Sequence, residues 1–70
     1  MQMTPVTSSN IAAVGYDRTS RTLEVEFHNG TRYQYDDVDE DVYQDLMGAE
    51  SVGKFFNANV KDLYTTTKLN

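Results

Sequence analysis

The segment 22–35 constrains this chain more than any other. Leu23-Glu24-Val25-Glu26-Phe27 and Thr31-Arg32-Tyr33-Gln34-Tyr35 alternate apolar and polar residues on either side of Asn29-Gly30. Alternation has the period of a half-buried strand, and an Asn-Gly pair between two such runs signals an antiparallel hairpin. Loop length then decides which side chains share a face, because a slip of one residue turns a whole row over. With a two-residue Asn29-Gly30 turn, Phe27 pairs with Arg32 and Val25 with Gln34, and Tyr33 and Tyr35 point away from Leu23, Val25 and Phe27. With a three-residue loop, His28-Asn29-Gly30, a type I turn is followed by a left-handed Gly30. Phe27 then faces Thr31, Val25 faces Tyr33 and Leu23 faces Tyr35. The second register is favoured, since it opposes one apolar face to Glu24, Glu26, Arg32 and Gln34, as in a one-sided antiparallel sheet.

Ser8-Ser9-Asn10 leads into Ile11–Tyr16, which reads as a first strand with Ala12, Val14 and Tyr16 on one face. Asp17–Arg21 is a polar connection to the hairpin. After Tyr35 the apolar period lengthens: Val38, Val42, Leu46 and Met47 follow helical spacing, with Asp39 as N-cap, Val38 against Tyr43 as a hydrophobic staple, and Gly48 as the stop. Ser51 caps a second helix carrying Val52, Phe55, Phe56, Val60, Leu63 and Tyr64, which ends between Asn59 and Tyr64. A lone meander leaves its apolar face wet, so the two helical stripes cover it. The fold class expected is α+β, a three-stranded antiparallel meander followed by two helices packed on one face (βββαα). Val14, Tyr16, Leu23, Val25, Phe27, Val42, Leu46, Phe55, Phe56 and Val60 form the expected core. Residues 1–70 make a single domain, with 1–6 and 65–70 as flexible ends.

Seventy residues bury only about 60 % of their unfolded surface, so nearly every apolar side chain is needed. The absence of cysteine excludes disulfides and thiolate metal sites and fits a reducing compartment. The opening Met-Gln-Met-Thr-Pro lacks the basic and apolar regions of a signal peptide, and no apolar run approaches a membrane span. A cytoplasmic protein with no membrane contact is expected. The net charge of −5 divides into −7 over residues 1–50 and +2 over 51–70. Asp36, Asp37, Asp39, Glu40, Asp41 and Asp45 crowd the start of the first predicted helix. Helix N-termini favour acids, each by about 0.3–1 kcal/mol. The same cluster also reads as an acidic patch that docks on a basic partner or imitates a nucleic-acid backbone. Its spacing lacks the pattern of a calcium loop.

Catalytic readings find little support. The one histidine, His28, falls in the predicted hairpin loop, and no cysteine offers a nucleophile or metal ligand. Carboxylates on a solvated helix start lack the desolvated setting that separates pKa values. Ser51 and Lys54 share a helical turn, but Ser-x-x-Lys without its companion motifs is common by chance. No phosphate-cradling glycine loop is present, and no enzyme activity, cofactor or metal is expected.

Ser8-Ser9-Asn10-Ile11, Val14-Gly15-Tyr16-Asp17, the Leu-x-Val-x-Phe run ending at Phe27, Tyr33-x-Tyr35 and Ser51-Val-Gly-Lys-Phe-Phe-Asn57 together resemble the KTSC domain family over residues 5 to about 64. That family is named for an appendage at the C-terminus of some lysyl-tRNA synthetases and also occurs as free-standing small bacterial proteins of unknown function. By analogy with that attachment, the resemblance implies RNA binding. Tyr33 and Tyr35 match the family's Tyr-x-Tyr, with stacking on unpaired bases as the implied role and burial in the core as the competing one. Asn57 and Lys61 fall on its Phe-Asn-x-x-[Ile/Val]-basic segment, after which members continue into several arginines and lysines. This chain departs there, keeping only Lys54, Lys61 and Lys68. Ser9 and Asn10 belong to a polar trio with Ser8 that either closes a turn or joins Asn57 and Lys61 in a site for a phosphate or peptide group. Arg32 and Lys54 complete the candidate nucleic-acid or ligand contacts.

Two functional readings follow. The charge places first a non-catalytic binding module that presents its acidic 36–45 segment, or a strand edge, to another protein. The alternative is weak binding of RNA or single-stranded nucleic acid, because three lysines on a chain of net −5 neutralise few phosphates. A monomer or weak homo-oligomer is expected, since Glu24 and Glu26 on the outer sheet face discourage pairing.

Overall fold

The hairpin adopts the three-residue loop. In the computed structural model, which describes residues 1–70, Leu23 pairs with Tyr35, Val25 with Tyr33 and Glu26 with Arg32. The Phe27 N–H donates to the Thr31 carbonyl at 2.9 Å, and the Gly30 N–H donates back to the Phe27 carbonyl at 2.9 Å. Gly30 has φ +90°, a left-handed conformation that only glycine adopts without steric cost. Both tyrosines therefore share the apolar face.

The sheet is larger than the three-stranded meander expected. Strands β1 (Met3–Pro5), β2 (Ile11–Asp17), β3 (Thr22–Phe27), β4 (Arg32–Tyr35) and β5 (Thr66–Lys68) lie side by side in chain order, all antiparallel. Helices α1 (Glu40–Gly48) and α2 (Val52–Asn59) fall between β4 and β5. Segments 1–6 and 65–70, read above as flexible ends, thus supply both edge strands. Proline suits such an edge, where its missing N–H breaks no ladder, and Pro5 sits there opposite Ala13. At the other edge the Leu69 N–H donates to the Arg32 carbonyl at 2.8 Å, while the Asn70 side chain bridges the Arg32 N–H and the Gly30 carbonyl at 2.9 Å each. Three residues per edge strand carry too little pattern to be seen as strands before the sheet exists to receive them.

A bulge between Ile11 and Ala13 corrects the face assigned to β2. Ile11 pairs with Phe27 and Ala13 with Glu26, so Ala12 is the extra residue and Ile11 turns inward. Ile11, Tyr35, Val38 and Val52 join Val14, Leu23, Val25, Leu46, Phe56 and Val60 in the core, whereas Tyr16, Phe27, Val42 and Phe55 are half-buried at its margin. Val38 is locked from both sides: its carbonyl accepts the Tyr16 hydroxyl at 2.5 Å and its N–H donates to the Arg21 carbonyl at 2.9 Å. Tyr16 in turn stacks on Tyr43, with centroids 5.0 Å apart.

Ser51 caps α2 as expected, its hydroxyl accepting the Lys54 N–H at 3.2 Å. Asp39 does occupy the N-cap position of α1 but does not cap it. Its carboxylate pairs with Arg21 instead. No helix is long and apolar enough to cross a membrane.

Candidate functional site

Tyr33 and Tyr35 are two residues apart on β4, so both rings leave the sheet on the helix side, where they meet Phe27 from β3 and Phe56 from α2. The four rings pack edge to face, with centroids 5.9 Å apart for Phe27–Tyr33, 5.7 Å for Phe27–Phe56 and 5.6 Å for Tyr35–Phe56. That arrangement sets the positive ring edges against negative faces. Phe56 and Tyr35 are buried, while Tyr33 and Phe27 are half-buried. Together they floor a cleft of about 350 Å³, at the lower end of the roughly 300–1,000 Å³ typical of small-ligand sites.

Polar groups reach this cleft from three other segments. Asn10 is set by a turn in which the Ser8 hydroxyl accepts the N–H groups of Asn10 and Ile11 at 3.4 and 3.3 Å. Its Oδ1 accepts the Ser8 and Ser9 hydroxyls at 3.3 and 3.4 Å. Helix α2 begins against this turn, and a Cβ on Gly53 would stand only 3.1 Å from Asn10 Oδ1. A side chain there would make the Asn10 amide and the Ser8 hydroxyl give by a few tenths of an ångström. Asn57 follows Phe56 on the exposed side of α2, and Lys61 and Asp62 follow the end of that helix. Asp62 is left-handed (φ +65°), a conformation aspartate tolerates better than most residues. Thr66, the first residue of β5, closes the far side.

The electrostatics of the cleft are those of unpaired groups. The three ion pairs of the chain, Arg18–Glu40, Arg21–Asp39 and Arg32–Glu24, lie elsewhere, leaving Lys61 and Asp62 without a charged partner. Burial pushes the Tyr35 hydroxyl up to about 12, and neighbouring Tyr33 and the Asp62 carboxylate act in the same direction. Tyr35 therefore presents a neutral O–H. The one buried side-chain polar atom without a partner is Arg32 Nε, outside the cleft.

Of the eight residues singled out as nucleic-acid or ligand contacts, the fold gathers Asn10, Tyr33, Tyr35, Asn57 and Lys61 on this one cleft. Ser9 borders an adjoining depression with Asn10, Phe27 and His28. The His28 ring is held there by its Nε2, 2.9 Å from the Ser8 carbonyl. Arg32 and Lys54 do not join them. Strand alternation sends Arg32 to the opposite face, where it pairs with Glu24, and Lys54 is exposed on α2. The acidic segment is not one free patch. Asp39 and Glu40 are paired with Arg21 and Arg18, and Asp36 accepts the Gln34 amide at 3.1 Å. Asp37, Asp41 and Asp45 stay exposed and unpaired. No three of the acids converge as a metal site.

Sequence reasoning missed Asp62 and Thr66 and named Lys68 only as a remnant of the basic tail. Lys68 stands opposite Tyr33 in the ladder, hence on the same face. The β-branched run Thr65-Thr66-Thr67 was the available signal for that strand. Nothing local marked Asp62.

Comparison with known proteins agrees with this architecture. The KTSC domain model matches residues 7–64. A crystal structure of a KTSC domain protein from Yersinia pestis superposes with a TM-score of 0.93 at 40 % identity, covering 99 % of this chain and 97 % of that one. A protein of Tsukamurella paurometabola is 42 % identical over 67 residues, covering 96 % of this chain and 100 % of the relative. A lysine–tRNA ligase of Nostoc punctiforme is 34 % identical over 61 residues, which span 87 % of this chain and 11 % of the ligase.

Proposed function

The chain belongs to the KTSC domain family, and from that premise we propose that it is a non-catalytic recognition module that holds unpaired RNA weakly, seating one nucleotide in the cleft between β4 and the end of α2. The observation carrying this reading is the convergence of Asn10, Asn57, Lys61 and the Tyr33 ring, from separate segments, onto one aromatic floor. Unpaired bases are bound in this way, by rings below and amide or hydroxyl groups at the edge. Lys61 lines the cleft and would meet the nucleotide seated in it, and Lys68, opposite Tyr33 in the ladder and bordering a separate depression with Asn29 and Asn70, would meet a phosphate of the strand. The presence of a related segment in a tRNA-charging enzyme is in keeping with this ligand.

One phosphate contact on a single strand gives a slope of about −0.7 in log K against log salt. Fluorescence anisotropy with a short unstructured RNA at low salt tests the reading. Lys61→Glu with Lys68→Glu should abolish the signal, and Lys54→Glu, which lies off the cleft, should largely keep it. No binding at low salt would end the proposal. A second reading is favoured by the free carboxylates of Asp37, Asp41 and Asp45, which suit a basic protein surface. Reversing these three to lysine should abolish capture of such a partner while leaving RNA binding intact.

A further inference from the structure

The cleft carries a carboxylate, next in the chain to one of its cations, that unselective RNA binding does not need. Lys61 and Asp62 are consecutive, both line it, and neither has a charged partner in the chain. A carboxylate beside a nucleic-acid site is a liability, because it repels every phosphate that approaches. It becomes an asset only where the ligand brings hydrogen-bond donors to it. Building on the RNA reading above, we propose that Lys61 and Asp62 make the cleft selective for guanine, read on its Watson–Crick edge.

The argument rests on the order of donors and acceptors along each base. Guanine presents an acceptor, O6, followed by two donors, the N1–H and the N2 amine. Adenine offers a donor then an acceptor, cytosine a donor then two acceptors, and uracil an acceptor, a donor and an acceptor. An ammonium and a carboxylate that line one cleft without pairing with each other leave a donor and two acceptor oxygens free, a set that complements guanine alone. Lys61 would donate to O6, and the Asp62 oxygens would accept from N1 and N2 in bidentate fashion. The left-handed backbone at Asp62 follows directly on the end of α2, so the carboxylate is carried by a short turn anchored on that helix: the Lys61 N–H donates to the Phe56 carbonyl at 2.9 Å, and the Leu63 N–H to the Val60 carbonyl at 3.1 Å. Asn57 stands one turn earlier on the same rim, with both halves of its amide available to the sugar or the other base edge.

The test compares oligouridylates carrying one central guanosine, adenosine, cytidine or inosine, measured by anisotropy at low salt with the full chain and with Asp62→Asn. Asparagine also tolerates the left-handed conformation, so the variant should keep its fold, which its amide NMR spectrum checks. The wild type should prefer the guanosine oligomer by about tenfold or more, the scale of one good bidentate base contact. Inosine, which lacks the N2 amine, should lose most of that preference. In Asp62→Asn the guanosine oligomer should weaken while the adenosine and cytidine oligomers tighten, because the repulsive carboxylate is gone. Equal binding of all four oligomers by the wild type would overturn guanine selectivity and leave RNA binding standing. Refusal of all four would overturn both. Binding of an arginine-rich peptide in the cleft with every oligomer refused would assign Asp62 to a protein cation instead.

Discussion

Truncating Phe56 to alanine should nearly unfold this domain. Its ring is 3 % exposed and sits edge-on to both Phe27 and Tyr35, at centroid distances of 5.7 and 5.6 Å. Removing a buried phenylalanine costs about 3–5 kcal/mol through lost transfer energy and the cavity left behind. The two edge-to-face contacts each contribute about 0.5–1.5 kcal/mol beyond the buried area, which places Phe56 in the upper part of that range. At about 0.05–0.15 kcal/mol per residue, a chain of 70 residues has roughly 4–10 kcal/mol in total. The variant therefore keeps little more than half its stability at best and none at worst. Urea titration followed by far-ultraviolet circular dichroism should show a midpoint lower by about 4–5 M, taking an m value of about 1 kcal/mol/M for so small a domain. Where Phe56→Ala fails to fold, Phe56→Leu provides a measurable step of up to about 1.5 kcal/mol. Phe27, half-buried on the cleft side of the same cluster, should cost less when truncated. A loss below about 1.5 kcal/mol for Phe56→Ala, or a larger loss at Phe27 than at Phe56, would refute the placement of Phe56 at the junction of sheet and helices.

Gly30→Ala should destabilise the fold by about 1–2 kcal/mol, the penalty for a side chain in the left-handed region, and Gly30→Asn by less; thermal melts compare them. The Tyr35 hydroxyl, pushed up to about 12 in the fold against 10.0 otherwise, binds its proton more tightly when folded. Its contribution is thus complete below pH 10 and is lost as pH rises toward about 12, so stability should fall across that window by an increment that Tyr35→Phe lacks. Ser51→Ala should cost about 1 kcal/mol by freeing the Lys54 N–H, read from the urea midpoint. Asp39→Ala, at a position where no cap bond is made, should cost only the about 0–1 kcal/mol of an exposed ion pair, and less at high salt.

Where one local pattern is strong, it was legible. The alternating rows around Asn29-Gly30, the Ser51 cap and the apolar stripe from Val52 as far as Val60 each obey one rule of spacing, and the structure follows them; the stripe's expected continuation fails at Leu63, which lies beyond the end of α2 and is exposed. Asp39 shows the limit: its residue type suits a cap, but a cation eighteen positions earlier in the chain, Arg21, competes for the same carboxylate and wins. Ile11 shows another, since a single bulge exchanged it for Ala12 on the inner face. A bulge is dictated by what packs on the strand, and strict alternation cannot announce it.

By itself the order of residues determined the hairpin, its register and the two helices, because those elements depend on neighbours within a few positions and on the one face they must bury. It also carried the family resemblance, and with it Tyr33, Tyr35, Asn57 and Lys61 as residues to watch. Only the tertiary structure decided that these residues meet Asn10 in one cleft, that Arg32 faces away from it, and that Asp62 belongs to it. The edge strands β1 and β5 were likewise a matter of tertiary structure: each is three residues long and has a single ladder partner, β2 for β1 and β4 for β5. Local rules act over a turn of helix or a pair of strands, whereas a site assembled from segments up to fifty-six positions apart, Asn10 to Thr66, exists only once the chain has closed on itself.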